Sequence, residues 1–285
     1  MHKKMEYNEL SHKRGGYFLD INLSQSKKQC DISDNYTDYM LCLALDIGEA
    51  MLVNGAEVHR VENTVSRLCR AYGAEHTEIF VIPSVIIAAV RMGDGSYSSQ
   101  MRRVESSGMD LYKVELYNKI SRKACKEIPP LFELEHMILE TKNKKSYPYF
   151  VVVLGAALAT GSFAVFFGGT WRDAVVAAII GMIMALGEKI PFSNQNQFAK
   201  VAIQSFVAGT LAYVFVLAGV GLNVDEIMMG TIMYSIPGLA LGIAARDFFL
   251  GDFIAGALKT IHVIIVTLMI AFGYSLAFLV FRGAM

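Results

Sequence analysis

The residues best able to do chemistry lie where charge is most expensive. Ala245-Arg246-Asp247, Gly251-Asp252 and Lys259 stand among apolar runs, downstream of Pro237-Gly238, and Glu188-Lys189 with Pro191 forms a second polar cluster. Charged groups near a bilayer core are kept mostly for a solute pathway, a proton relay or an ion pair. Asp247 or Asp252 is therefore expected as a coupling carboxylate, with Arg246 as its partner or as the clamp on a substrate carboxylate. A salt bridge closing a helix end is the plainer alternative. Pro237 lacks a backbone donor and is expected to kink or break its helix and so shape a pathway. Phe248, Phe249 and Leu250 would be exposed in an ordinary loop, so 246–252 reads as a shallow re-entrant or interfacial segment.

A second constellation is His59 and Glu62, three apart on one helix face with Asn63 beside them. Acid–base or metal chemistry would need three or more converging ligands, and no spacing ties His76 or His136 to this face. The alternative is a solvated, ion-paired face of Glu57, Arg60 and Glu62. No catalytic residue, metal site or cofactor is assigned, and no phosphate-cradling glycine loop supports an ATP-driven pump.

These groups need elements to hold them. The 285 residues divide into unlike halves: charge-rich to about residue 147, then overwhelmingly apolar. Five segments are long and apolar enough to span a bilayer: about 149–168, 172–190, 199–221, 227–245 and 257–281. Small residues four apart (Gly155/Ala159, Gly181/Ala185, Gly238/Gly242) suit close helix packing. Lys142, Lys144, Lys145, Lys189, Lys200, Arg246 and Lys259 cluster on one side of these spans. That bias places the N-terminal half in the cytoplasm and the C-terminus outside.

The first half reads as a tail over 1–32 and an α+β domain over 33–147, with the membrane domain over 148–285. A helix from Asn35 carries Met40, Leu43, Ile47 and Met51 on a broad apolar face and stops at Asn54-Gly55. A second helix follows over Ala56–Tyr72. Strands are expected at Thr77–Ile82, Val85–Met92 and Tyr97–Val104, with a hairpin turn at Gly93–Ser96. Helices over Leu111–Lys126 and Pro130–Thr141 complete it. The expected fold is thus an N-terminal α+β cytoplasmic domain followed by an all-α bundle of about five transmembrane helices. Cys30, Cys42, Cys69 and Cys125 show no metal-binding spacing and read as reduced, structural residues. With 26 basic and 26 acidic residues and no long basic block, no nucleic-acid partner is expected.

Two stretches resemble the threonine/serine exporter family. The first runs from Gly55-Ala56 through Arg60-Val61-Glu62 to Gly73; the second is Pro237-Gly238, Arg246-Asp247, Gly251-Asp252 and Gly256. The order of a soluble half before a membrane half agrees, so the resemblance covers the chain from about Tyr39. Ile243 and Lys259 stand where the family often has asparagine and arginine. Full-length members carry about twice as many spans. The resemblance therefore implies the larger half of a split system, completed by a small four-span membrane subunit. It implies an inner-membrane, multi-pass exporter subunit moving threonine or serine, or a dicarboxylate such as succinate, by a secondary, ion-coupled route. Oligomerisation fits such a protein. Two other readings remain: a membrane-anchored hydrolase using the His59/Glu62 face, and a non-transporting scaffold subunit.

Overall fold

The computed structural model describes residues 35–105, 108–144, 147–189 and 197–283. The expected tail over 1–32, Cys30, Lys145 and Pro191 lie outside them. Helix α1 (Tyr36–Val53) begins at Asn35, whose side chain accepts from the Thr37 N–H at 3.3 Å. Leu41, Leu45, Ile47 and Met51 are fully buried, and so is most of the helix circumference. A helix apolar all round belongs inside a core, and α1 is the centre of this one. Helices α2 (Val58–Ala71), α3 (Leu111–Glu127) and α4 (Leu131–Asn143) pack around it.

Strands β1 (Ala74–Ile82), β2 (Val85–Met92) and β3 (Tyr97–Arg103) form an antiparallel sheet in the order β1-β2-β3. Their alternation decides the facing: Ile86, Ala88 and Val90 turn toward α1 while Ile87 stays exposed. The expected α+β arrangement is therefore present, with β1 starting earlier than Thr77. Cys69 and Cys125 are free. Cys42 is disulfide-bonded, which corrects the expectation of four reduced cysteines.

The second half is helical: α5 (Tyr149–Phe166), α6 (Trp171–Gly187), α7 (Gln197–Leu217), α8 (Val224–Ser235), α9 (Gly238–Leu250) and α10 (Phe253–Phe281). Helix α5 lies along α6, α7 lies along α10, and α8 packs on α5, α6 and α7. Three of these, α5, α7 and α10, are long and apolar enough to cross a membrane. The number becomes four if α8 and α9, bent by 51° at Pro237, count as one span. Among the described residues the count of about five is therefore not confirmed: α6 has 17 residues, a length of roughly 26 Å against a hydrocarbon thickness of about 30 Å.

Of the expected small-residue faces, only Gly181 meets a neighbour, Thr160 of α5, whereas Gly155, Gly238 and Gly242 adjoin open space. Helix α10 begins at Phe253, ahead of the expected start near 257, and Lys259 lies within it as expected. Ala255 is buried in the N-terminal core, which takes the first turn of α10 out of the helical bundle.

Candidate functional site

The break at Pro237 follows from its missing N–H and from the extended conformation of Ile236 (φ −64°, ψ 125°), which the following proline favours. Helix α8 ends there and α9 restarts at a new angle. The segment expected to be re-entrant or interfacial is helical to Leu250, and Phe249 is 90% exposed on it. Gly251 then turns the chain in the left-handed region (φ 92°), a conformation other residues adopt only with strain. Gly256 lets α9 and α10 approach: a Cβ there would come within 3.0 Å of the Phe248 ring and 3.1 Å of the Ala244 carbonyl. Gly251 and Gly256 of the membrane motif therefore build one tight helix–turn–helix corner.

That corner faces Asp247 toward Lys259. The Lys259 ammonium donates to Asp247 Oδ2 at 2.7 Å, and Asp247 has no solvent exposure while Lys259 keeps 18% at its side chain. The second oxygen, Asp247 Oδ1, is buried and has no hydrogen-bond partner among the described residues, and Asp252 Oδ2 is in the same condition. A buried carboxylate oxygen left bare carries a desolvation penalty that only an incoming donor or cation relieves. The corner can therefore accept a proton, a cation or a hydrogen-bonding solute.

Arg246 does not join Asp247. Its guanidinium donates to Glu57 Oε1 at 2.7 Å, reaching across 189 positions of sequence to the N-terminal cap of α2. Arg60 approaches the same oxygen at 3.6 Å. The N-terminal motif thereby meets the membrane motif. Gly55 closes α1, Ala56 and Val61 are buried in the core, and Glu62 accepts the Val81 N–H at 3.0 Å, tying α2 to β1. Burial raises the Glu62 carboxyl above its ordinary range, with the nearby Asp252 charge adding to the same direction.

Glu188 stands apart from this corner. Tyr234 donates to its carboxylate at 2.8 Å, and Lys200 donates to its backbone carbonyl at 2.9 Å. It thus tethers the last turn of α8, three residues before Pro237. His59 is exposed, and no group of three or more His, Cys, Asp or Glu suited to a metal occurs among the described residues.

Sequence reasoning passed over Asp173. It is fully buried and accepts from the N–H groups of Thr170, Leu222 and Asn223 at 2.9, 2.7 and 3.0 Å, and from the Thr170 hydroxyl at 2.7 Å. The Thr170–Asp173 spacing is a capping-box signal and could have shown half of this role. The bonds to the start of α8 are long-range and left no local mark.

Comparison with known proteins agrees with this layout. A model of the ThrE family, described as "putative threonine/serine exporter", matches residues 42–281. The chain is 23% identical over 251 residues to a "probable succinate transporter subunit YjjP" of Klebsiella aerogenes, covering 87% of this chain and 96% of that protein. It is 25% identical over 249 residues to a "probable threonine/serine exporter" of Mycobacterium tuberculosis, covering 82% of this chain and 46% of the relative. A "pheromone-regulated membrane protein 10" of Debaryomyces hansenii is 23% identical over 239 residues, 80% of this chain and 23% of the relative. The chain thus spans nearly the whole of the first relative, under half of the second and about a quarter of the third. No solved structure matches. With the N-terminal and membrane motifs in order and a family match over most of its length, this chain belongs to the threonine/serine exporter family and is a multi-pass membrane protein.

Proposed function

We propose that this chain is the larger subunit of a membrane exporter that moves a small polar metabolite out of the cell. Threonine or serine is the first cargo to test and a dicarboxylate such as succinate the second, in line with the names of the relatives. The observation that carries the reading is the buried Asp247–Lys259 pair with one bare carboxylate oxygen, set at a corner after the helix break at Pro237. Broken helices near charged groups are how secondary transporters expose backbone groups to a solute. In this mechanism Asp247 carries the coupling proton or cation and Lys259 holds it in place between turnovers. Pro237 and Gly238 shape the pathway, while Glu188 steadies the end of α8. The Arg246–Glu57 bridge fastens the corner to the N-terminal region. Asp252 and Gly251 maintain the turn.

The same proposal includes a cytoplasmic domain over 33–147 and a five-span domain over 148–285 in the inner membrane. In it α6 serves as a short span and the C-terminus lies outside. A small four-span membrane subunit completes the transporter, consistent with two relatives being named as transporter subunits.

Efflux from cells preloaded with threonine, serine or succinate tests this reading. The chain is expressed alone, with its small partner, and with the partner plus Asp247→Asn. Efflux of one solute that needs both chains and the carboxylate is the expected result. Unchanged efflux in the well-inserted variant would remove Asp247 from the mechanism, and no efflux of any solute would favour a scaffold role.

A further inference from the structure

A cleft of about 580 Å³ opens where the N-terminal region meets the end of α9, within the size range of ligand pockets. Its charge is lopsided. Arg60 and Arg67 reach it from α2, Arg122 and Lys126 from α3, and Arg246 from α9; among the described residues Glu57 is the one carboxylate lining it. Glu57 is already shared between Arg246 and Arg60. Arg67, Arg122 and Lys126 have no carboxylate within ion-pair distance among the described residues. Arg122 and Lys126 are also four apart on one helix, a like-charge spacing that weakens a helix unless something neutralises it. Their neighbour Lys123, on a different face of α3, does have a carboxylate, Glu127, at 3.8 Å. Asn118 and the buried Ser121 add neutral hydrogen-bonding groups to the wall.

We propose that this cleft binds a small anion bearing two or more negative charges on carboxylate or phosphate oxygens. Guanidinium groups recognise such oxygens through paired, charge-assisted hydrogen bonds. A zwitterionic amino acid would bring its ammonium into a field of five cations and is disfavoured. Because Arg246 both lines the cleft and holds Glu57, the bound anion competes with the bridge that fastens α9 to α2. The site is distinct from the Asp247–Lys259 corner, and its test reads binding, so it stands or falls separately from the export reading.

The experiment is calorimetric titration of the purified full chain with succinate, inorganic phosphate and threonine. A parallel flotation assay uses phosphatidic acid vesicles against phosphatidylcholine vesicles. Succinate or phosphate should bind and threonine should not. The Arg122→Gln/Lys126→Gln variant should weaken binding by roughly tenfold or more, since it removes two charge-assisted partners. Glu57→Gln should tighten it, because both Arg246 and Arg60 lose their competitor. That opposite sign separates a binding site from general damage to the fold. Equal binding by the wild type and the double variant, or no binding of either dianion, would overturn the proposal. So would dependence on Arg122 and Lys126 seen with phosphatidic acid vesicles alone, which would mark a lipid headgroup site.

Discussion

Two buried carboxylates in the apolar half have opposite surroundings. Asp173, at the start of α6, has no exposure and both its oxygens are saturated by backbone, hydroxyl and amide donors. Asp247, at the end of α9, is just as buried but has one oxygen on Lys259 and the other bare. Burial alone therefore does not mark a functional group. A fully satisfied carboxylate is a rivet holding α6 to the turn before α8. A half-satisfied one keeps an unrelieved desolvation penalty, which is why the proposed mechanism assigns it the changing partner.

The sharpest way to break this contrast is at Asp247. Asp247→Asn should reduce efflux to background while the protein still inserts, since the amide can still accept from Lys259. Asp173→Asn should leave efflux measurable, because its remaining oxygen still accepts from the α8 turn. If the two variants lose efflux equally, the distinction between rivet and switch fails.

Next in size is the removal of the cation. Lys259→Met leaves Asp247 buried without a counter-charge, which should cost about 3–5 kcal/mol of stability. Denaturant or thermal midpoints of the detergent-solubilised chain would read it. Adding Asp247→Asn to Lys259→Met should recover most of that loss without recovering transport. Asp173→Ala should come third, at about 2–3 kcal/mol, because it orphans backbone donors at two helix starts. The smallest effect belongs to the bridge between regions. Glu57→Gln should shift stability by only about 0.2–1 kcal/mol, since Arg246 is largely exposed. Hydrogen exchange should nevertheless rise at the end of α9 in that variant, and no change there would argue that the bridge fastens nothing.

Much of this molecule was legible along the chain. The apolar face of α1, the stop at Asn54-Gly55 and the alternation in β2 and β3 are local patterns, and the elements form near where those patterns place them. Pro237 announced the helix break for an equally local reason. The misses have a common cause. That the expected re-entrant or interfacial segment is helical as far as Leu250 left no mark in hydropathy, because its charges interrupt the apolar run. Arg246 could not show that it pairs with Glu57, and Asp247 could not show that it pairs with Lys259 and not with its neighbour in sequence.

The sequence by itself determined the division into a charge-rich α+β half and an apolar helical half, the family, and the short set of residues able to do chemistry. These follow from periodicity, hydropathy and residue type, which act over a few positions. Only the tertiary structure decided which charges meet, which buried oxygen stays bare, and that the two motifs converge on one joint. Pairing energies depend on distance and desolvation, and both are set only once helices far apart in sequence have packed together.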